Sequence, residues 1–207
     1  MGAQIPKQYL QIEGKPILRH TIERFLSLEQ PVHIIVVVGS EHKEWWKEYC
    51  RKSGFITRYD LPSGGMTRFH SVQNALKYLE DGAVVAVHDG VRPLVTPEFL
   101  ERMYRDGEEY GAAIPAVAPA DSIRETGLYA TQSFPVDRSK IRLVQTPQVF
   151  HTEILKESYR LPYRQDFTDD ASVVEAAGYR VTLVDGQPYN IKITTPEDLK
   201  IAGSLLL

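Results

Sequence analysis

Short apolar, β-branched runs alternate along the chain with segments whose apolar residues recur at the helical period. This alternation is typical of an α/β fold in which a mostly parallel sheet is covered by helices on both faces. The clearest strands are 33–38 and 83–87. Thr96 and Pro97 mark the start of a helix, as N-cap and first helical residue. The other predicted elements are helices at 41–53, 67–79, 96–110, 153–159, 169–177 and from 196, and strands at 56–59, 112–117, 149–150, 180–184 and 189–194.

The alternation lapses between about residues 119 and 148, where short polar stretches are interrupted by glycine, proline and aromatic residues. Such a stretch predicts a hairpin or arm that leaves the main body of the fold. The 207 residues otherwise suit one domain, because single cores commonly span about 100 to 250 residues. We therefore predict a single domain over residues 1–207, with an arm.

The charge balance argues against a nucleic-acid partner. The net charge is −3 and the isoelectric point is about 6.1, so no overall positive field is available to hold a polyanion. Any phosphate must therefore be bound by a few local residues.

Cysteine content and hydropathy indicate the compartment. Cys50 is the only cysteine, which excludes an intrachain disulfide and any metal site built from several cysteines. No apolar run approaches the ~20 residues that cross a bilayer, and the first residues lack the apolar core of a secretory signal. These features predict a soluble, cytoplasmic protein without a membrane partner.

Two charged residues directly follow a predicted buried strand. In open α/β sheets, ligands bind at the carboxyl ends of the strands, and Asp89 and Arg92 come just after the strand 83–87. Asp89 could hold Mg²⁺ or a ribose hydroxyl, and Arg92 could clamp a phosphate with its planar guanidinium. Taken alone, such a pair more often forms an ion pair in a turn.

Other candidate residues give weaker signals. Gly65 lies in a glycine turn before a helix whose first turn carries Arg68 and Ser71, where backbone N–H groups can meet a base or a phosphate. A glycine pair before a helix is usually only a turn. Lys7 and Lys192 are isolated lysines, and such residues are usually solvated surface charges.

Several familiar sites are missing from the sequence. The Thr, Asp and Ser residues at 168–172 stand at a helix start, so we interpret Asp170 and Ser172 first as capping residues. The histidines do not show metal-ligand spacing, and the chain contains no nucleophile elbow, P-loop or Cys-x-x-Cys pair. Hydrolase, P-loop kinase and zinc-protein functions are therefore disfavoured.

Eight short segments occur in a fixed order: IPKQY, SGGMTR with Ser71, HDGVRP, ADS, VDR, QTPQVF, TDDAS and NIKITTPEDL. Together they resemble 2-C-methyl-D-erythritol 4-phosphate cytidylyltransferase of the non-mevalonate isoprenoid pathway, over nearly the whole chain. Single segments are unspecific, but eight in order outweigh the purely structural role considered for each. The resemblance implies a Rossmann-like α/β domain with a protruding β-arm that is exchanged in a homodimer.

The resemblance also implies a reaction and its catalytic residues. A phosphate oxygen of a small polyol phosphate would attack the α-phosphorus of CTP, and pyrophosphate would leave. A phosphate monoester is already ionised at neutral pH, so positioning and charge stabilisation by cations and Mg²⁺ (or another divalent cation) replace a general base. Lys7 and Lys192 are the implied catalytic pair around the triphosphate.

The same resemblance assigns binding roles to further positions. Gly65 and Ser71 would contact the cytosine, and Asp89 would face the ribose and the metal. Ser122, where the family commonly has threonine, and Arg138 would complete the acceptor site of the neighbouring subunit from the arm. The implied CTP-binding residues are Gly65, Arg68, Ser71, Asp89 and Gly90, and the implied acceptor-binding residues are Arg92, Ser122, Arg138, Thr146 and Thr168.

The sequence departs from the family at two places. Members begin with an apolar strand and a glycine-rich loop around the CTP phosphates, and Met1 and Gly2 resemble only the end of that loop. Either a leading segment precedes these residues or the protein lacks it, and its loss would remove a central strand and leave the chain inactive. Tyr189 stands where members usually carry a carboxylate.

Three alternatives remain at this point. A ribitol 5-phosphate cytidylyltransferase shares the nucleotide half, and Val136-Asp137-Arg138 together with the NIKITTPEDL ending favour methylerythritol phosphate over it. A non-catalytic nucleotide-binding protein that lacks the first loop is a second alternative, against which the retained charged residues argue. An NAD-dependent Rossmann enzyme is disfavoured because no Gly-x-Gly-x-x-Gly follows a predicted strand.

Overall fold

The computed structural model describes residues 5–127 and 131–206, which form an α/β fold with a mixed sheet. The α-helices are α1 (Ile17–Leu26), α2 (Lys43–Lys52), α3 (Arg68–Ala75), α4 (Pro97–Tyr110), α5 (Thr152–Ser158), α6 (Asp170–Ala176) and α7 (Pro196–Leu206). The strands are β1 (Gln11–Ile12), β2 (Lys15–Pro16), β3 (Ile34–Ile35), β4 (Tyr59–Asp60), β5 (Val84–Val87), β6 (Ala112–Val117), β7 (Ile123–Thr126), β8 (Ser133–Val136), β9 (Leu143–Val144), β10 (Gln148–His151) and β11 (Thr182–Asp185). Short 3₁₀ turns lie at Lys7–Tyr9, Ser40–His42, Leu76–Tyr78 and Arg138–Lys140.

The main sheet has the strand order β11-β6-β10-β5, with β9 paired to β6. β10 runs antiparallel to both of its neighbours, and β11 runs parallel to β6. β5, β6 and β11 therefore share one direction, while β10 and β9 oppose it. The prediction of a mostly parallel sheet is correct for these three strands, but the pairings themselves are mixed because β10 lies between β5 and β6.

This arrangement determines which residues meet at one edge of the sheet. The carboxyl end of β5 leads into Asp89, and the amino end of β10, which runs the other way, follows Thr146. The register pairs Gln148 with Val87, so continuing it by two residues sets Thr146 opposite Asp89. An antiparallel strand thus contributes the residues before it, rather than those after it, to the ligand-binding edge.

Helix α4 packs closely against the sheet. Its N-cap is Thr96, whose hydroxyl accepts a hydrogen bond from the Phe99 N–H at 3.3 Å, and Pro97 is its first residue, as predicted. Phe99 and Met103 are among the residues it buries. A Cβ on Gly107 would lie 2.3 Å from Val149 Cγ1 of β10, so only glycine allows this close approach of helix and sheet.

Most predicted elements are present, with shifts of one to a few residues at their ends. β3 is shorter than predicted, because beyond it only single contacts continue, such as the Val36 N–H donating to Asp60 O at 2.8 Å. The strand predicted at 56–59 begins only at Tyr59, and Ile56 is almost fully exposed. Residues 189–194 were wrongly predicted as a strand: the Asn190 N–H bonds back to Gln187 O in a turn.

The predicted hairpin at 119–148 is present as β7 paired antiparallel to β8, with Ile123 opposite Val136. These two strands form a sheet of their own among the described residues, which do not include 128–130. The extension of the hairpin away from the main body remains a prediction. Across the described part of the chain, none of the helices combines the length and apolar character needed to cross a membrane.

Candidate functional site

One carboxylate, that of Asp89, is surrounded by three cations from three parts of the chain. Its Oδ2 lies 3.2 Å from Lys192 Nζ and 3.2 Å from Arg92 Nε, and its Oδ1 lies 3.8 Å from Arg68 Nε. Asp89 and Arg92 are largely buried, whereas Lys192 and Arg68 are partly exposed. We call these four residues the Asp89 cluster.

The charges in the cluster keep Asp89 ionised. Burial by itself would raise the pKa of Asp89, but the nearby charges of Lys192, Arg68 and Arg92 outweigh it and hold the pKa below its ordinary value. The structure therefore brings together residues from three separate segments of the sequence. With three cations and one carboxylate, the cluster carries a net positive charge.

A second carboxylate, that of Asp170, binds Arg68. Its Oδ2 accepts a hydrogen bond from Arg68 Nη2 and its Oδ1 accepts one from the Tyr159 hydroxyl, and Asp170 is fully buried. Burial lowers the pKa of Arg68, but the charges of Asp170 and Asp89 overcome this and raise it. Burial and the Asp170 carboxylate raise the pKa of Tyr159, so its hydroxyl stays protonated and donates.

The capping role predicted for Asp170 was wrong. The N-cap of α6 is Asp169, whose side chain accepts a hydrogen bond from the Ser172 N–H at 2.9 Å in a reciprocal capping box. One helix start uses only one N-cap, so the second aspartate of TDDAS was the available signal for another role. Ser172 does belong to the cap, as predicted.

Lys192 is held near Asp89 by the segment that surrounds it. Ile193 is fully buried, and its N–H donates to Val91 O at 3.0 Å, which fixes this segment beside the loop after β5. Asp198, near the start of α7, accepts hydrogen bonds from the N–H groups of Thr194 and Thr195, each at 2.8 Å. The alternation of Lys192 with buried isoleucine therefore persists without a strand.

Thr146 and Asn190 contact the Asp89 cluster, and the sequence analysis did not single out Asn190. The Thr146 hydroxyl accepts a hydrogen bond from the Asp89 N–H at 3.0 Å. Asn190 is fully buried; its side-chain amide donates to Thr146 O at 2.7 Å, and its own carbonyl accepts from Arg92 Nη1 at 2.7 Å. The sequence signal for Asn190 was its place at the start of the NIKITTPEDL segment, and its burial is visible only in the structure.

Gly65 and Ser71 contact each other at the start of α3. The Gly65 N–H donates to Ser71 Oγ at 3.0 Å, and the Ser71 hydroxyl donates to Thr67 O at 2.9 Å. A Cβ on Gly65 would lie 2.3 Å from His70 Cβ, so the turn requires glycine. The serine oxygen keeps one lone pair with which it can accept from a ligand.

A cavity of about 340 Å³ adjoins the cluster, which is within the size range of small-ligand sites. Arg68, Ser71, Asp89 and Gly90 line it together with apolar residues of β3 and β5. A larger cavity of about 850 Å³ adjoins the first and shares lining residues of β3 and β5 with it, but it is also lined by several glutamates, so it suits an anionic ligand poorly. The smaller cavity is therefore the candidate nucleotide site.

Lys7 and Gly90 both lie near α1. Lys7 is exposed in the 3₁₀ turn Lys7–Tyr9, which packs against α1. Gly90 O accepts a hydrogen bond from the Thr21 hydroxyl of α1 at 3.1 Å. Within residues 5–127 and 131–206, the contacts of the Asp89 cluster do not include Lys7, so its approach to Lys192 remains a prediction.

The remaining predicted acceptor residues lie apart from the cluster. Ser122 is exposed at the base of the hairpin, and Arg138 follows β8 and donates a hydrogen bond to Ala120 O. Thr168 is exposed next to the α6 cap, where its N–H donates to Ser172 Oγ at 3.1 Å. Their roles remain predictions. Among the described residues, no group of three or more His, Cys, Asp or Glu side chains comes together to hold a metal ion.

Comparisons with known proteins give a uniform result. The family model for 2-C-methyl-D-erythritol 4-phosphate cytidylyltransferase matches residues 1–207. Proteins of that name from Phocaeicola vulgatus and Bacteroides thetaiotaomicron are 45% and 46% identical over 206 residues, which is 100% of this chain and 93% of each relative. A solved structure of 4-diphosphocytidyl-2C-methyl-D-erythritol synthase has a TM-score of 0.84 at 29% identity, covering 98% of this chain and 95% of its own.

Proposed function

Because the chain belongs to the 2-C-methyl-D-erythritol 4-phosphate cytidylyltransferase family, we propose that it transfers the cytidylyl group of CTP to 2-C-methyl-D-erythritol 4-phosphate. The products are 4-diphosphocytidyl-2-C-methyl-D-erythritol and pyrophosphate, and the reaction serves non-mevalonate isoprenoid biosynthesis. The free thiol of Cys50 is consistent with a reducing cytoplasm as its location.

The observation that carries this function is the Asp89 cluster beside the cavity. Three cations and the two carboxylates Asp89 and Asp170 leave one surplus positive charge at a partly dry site. Such a site attracts anions, and both substrates are anions. Because Asp170 and Asp89 hold the cations in place before substrate arrives, little reorganisation is needed when charge develops on the transferring phosphoryl group.

The reaction is an in-line displacement at the α-phosphorus of CTP. An oxygen of the acceptor phosphate forms the new P–O bond, and the bond to the pyrophosphate oxygen breaks. Lys192 is the catalytic residue in the cluster: on triphosphate binding, its ammonium exchanges Asp89 for phosphate oxygens and stabilises the transition state. Lys7 supplies the second ammonium from the turn beside α1.

Asp89 also fits a divalent cation such as Mg²⁺. This ion takes one or two carboxylates together with water and substrate phosphates, so a single carboxylate at the phosphate site is the donor set it requires. When bound, Mg²⁺ would neutralise charge on the triphosphate. Departure of Lys192 toward the phosphates would leave Asp89 paired with Arg92 and Arg68, and would open one bonding direction of Oδ2 for that ion or for a ribose hydroxyl.

The nucleotide and the acceptor occupy different sides of the cluster. Ser71 lines the cavity together with Arg68, Asp89 and Gly90, and Gly65 contacts Ser71 from the turn before α3. In this proposal Ser71 and the Gly65 backbone contact the cytosine. Arg92, Thr146 and Thr168 lie toward the acceptor phosphate. Ser122 and Arg138 complete that acceptor site in a second copy of the chain.

A homodimer through the hairpin follows from this division. Phe134, Leu143 and Val144 are large apolar side chains in or beside the hairpin, and they are 60%, 49% and 39% exposed. Exposed apolar groups grouped in one stretch mark an interaction surface. Sedimentation of the purified protein should give twice the monomer mass, and a monomer at micromolar concentration would contradict this part of the proposal.

The function is tested by offering CTP and Mg²⁺ with one acceptor at a time. Pyrophosphate release and the mass of the product are measured with 2-C-methyl-D-erythritol 4-phosphate and, separately, with ribitol 5-phosphate. We expect turnover with the first acceptor. Exclusive use of ribitol 5-phosphate would overturn the acceptor, and CTP binding without pyrophosphate release from either would make the chain a non-catalytic nucleotide-binding protein.

A further inference from the structure

His88 lines the proposed site, and each of its ring nitrogens makes a hydrogen bond within the protein. Nε2 lies 3.0 Å from Arg92 O, and Nδ1 lies 3.0 Å from the Thr146 hydroxyl. The ring packs edge to face against Phe25 with centroids 5.2 Å apart. The imidazole therefore has a fixed place and a fixed orientation.

The partners of the ring determine where its proton lies. A backbone carbonyl only accepts, so Nε2 must carry the proton that is donated to Arg92 O. Thr146 is buried, and among the described contacts of its hydroxyl Nδ1 is the one group that can accept a hydrogen bond, so Nδ1 carries no proton. The Thr146 hydroxyl must then donate to Nδ1, while it accepts from the Asp89 N–H at 3.0 Å.

These assignments give a continuous chain of hydrogen bonds. It runs from the Asp89 N–H to the Thr146 hydroxyl, from that hydroxyl to Nδ1 of His88, and from Nε2 of His88 to Arg92 O. Each donor has one acceptor and the direction never reverses. These hydrogen bonds connect the loop after β5 to Thr146, two residues before β10, and also connect His88 to Arg92 within that loop.

Asn190 holds the same two residues in the complementary way. It binds Thr146 through the backbone carbonyl and Arg92 through the guanidinium. His88 binds Thr146 through the side chain and Arg92 through the backbone. Because Thr146 O can only accept, the amide nitrogen of Asn190 must face it, and within the described residues its Oδ1 has no hydrogen-bond partner.

We propose that His88 and Asn190 are a pair of positioning residues that fix Thr146 and Arg92 from two sides, and so set the acceptor phosphate relative to Asp89. This inference rests on the proposed function for its chemistry. Neither residue needs to touch a substrate. Nδ1 takes the only proton of the Thr146 hydroxyl, so this hydroxyl has no proton left for the ionised acceptor phosphate, and donation to that phosphate falls to Arg92.

Two replacements of His88 distinguish its hydrogen bond to Thr146 from its hydrogen bond to Arg92 O. In His88→Asn, Oδ1 replaces Nδ1 as acceptor for Thr146, but the donor to Arg92 O is lost. In His88→Gln, Nε2 keeps the donor to Arg92 O, but the acceptor for Thr146 is lost. His151→Gln is the matched control, because His151 also bonds a carbonyl, Glu108 O at 3.0 Å, at the opposite end of β10.

Thr146→Val is then made alone and together with each replacement of His88, and kcat/KM for the acceptor substrate is measured. With His88 present, Thr146→Val should lower kcat/KM on the order of 10- to 100-fold, the scale of one buried hydrogen bond, and Thr146→Ser should restore it. The loss should persist in His88→Asn and be at least about threefold smaller in His88→Gln, because that background has already lost the partner. Equal losses in both backgrounds would overturn the proposal.

Asn190 is tested by Asn190→Asp, which keeps the shape and replaces the donor facing Thr146 O by an acceptor. We expect KM for the acceptor to rise on the order of 10-fold or more, with a smaller change in KM for CTP. A purely structural role would lower the unfolding midpoint and leave the ratio of the two KM values unchanged, and that outcome would contradict the proposal.

A measurement on the free protein decides the inference without any turnover. The ¹⁵N chemical shifts of the His88 ring should show a protonated Nε2 and an unprotonated Nδ1, and Thr146→Val should shift the Nδ1 signal. A protonated Nδ1 would overturn the proposal. If the wild type fails to use CTP with 2-C-methyl-D-erythritol 4-phosphate, the proposed function falls while this spectrum still tests the hydrogen-bond chain.

Discussion

The Asp89 cluster and the hairpin of β7 and β8 contrast in how their polar residues are held. In the cluster, the Arg92 guanidinium and the Asp89 carboxylate are largely buried, and each has more than one partner. On the hairpin, Ser122 and Arg138 are exposed, and β7 and β8 pair with each other in the described structure. One chain therefore assembles the Asp89 cluster by itself, whereas the role proposed for the hairpin at the acceptor site depends on a second copy of the chain.

This contrast predicts that changes in the cluster act on stability and turnover, whereas changes in the hairpin act on acceptor binding. The largest effect is expected for Asp170→Asn. It removes the buried charge that pairs with Arg68 and leaves one acceptor oxygen for the two donors Arg68 and Tyr159, which should lower the free energy of unfolding by about 3 kcal/mol. Denaturant unfolding measures this change.

Asp166→Asn is the matched control for Asp170→Asn. Asp166 also pairs with an arginine, Arg164, but both side chains are more than half exposed. Exposed pairs contribute little, so the free energy of unfolding should change by less than about 1 kcal/mol. Equal effects of the two variants would mean that burial of the Asp170 pair has no energetic weight.

The next effect is on turnover, in Lys7→Ala and Lys192→Ala. Each variant loses one preorganised charge at the triphosphate, so kcat should fall on the order of 10²-fold or more. The exposed Lys200 of α7 provides the control, since Lys200→Ala should retain wild-type kcat. Wild-type turnover in Lys7→Ala would remove Lys7 from the proposed catalytic pair and leave Lys192 as its tested member.

A smaller effect, confined to the acceptor, is expected for Arg138→Ala. The variant loses one exposed cation that is proposed to face the acceptor substrate of a second copy, so KM for that substrate should rise about 10-fold while KM for CTP stays unchanged. The unfolding midpoint should not move, because the arginine is exposed. Steady-state kinetics with each substrate varied in turn distinguishes this from damage to the cluster.

The smallest effect is expected for Ser122→Thr. The hydroxyl is retained at an exposed position, so kcat/KM for the acceptor should stay within about threefold of the wild type. Ser122→Ala removes the hydroxyl and should cost more than Ser122→Thr in the same assay. The opposite order would show that the hairpin serine does not contact the acceptor through its oxygen.

The sequence predicted the elements of the fold better than their pairing. The helix 97–110 and the strand 112–117 follow from an N-cap, a proline at the first turn and an apolar run, which are local signals. The strand expected at 189–194 also rested on a local signal, the alternation of isoleucine with polar residues. This strand does not form because the backbone N–H of Asn190 bonds back to Gln187 O in a turn, while its side-chain amide donates to Thr146 O.

The candidate site was likewise predictable in part. Asp89, Arg92 and Lys192 stood out as charges beside apolar runs, and the order of the segments gave their family. Asp170 and Asn190 did not, because a polar residue at a helix start or in a loop has a common structural role. Only burial, at 0% exposure for both, shows that their polar groups must be satisfied by particular partners.

The sequence by itself determined the alternation of strands and helices, the set of charged residues and the order of the family's segments, since these depend on neighbouring residues. The tertiary structure decided which distant residues share the site. Asp89 meets Thr146 across 57 residues, Arg92 meets Asn190 across 98, and Arg68 meets Asp170 across 102. These contacts depend on strand direction and register, and an antiparallel β10 between β5 and β6 is a consequence of packing that no local pattern encodes.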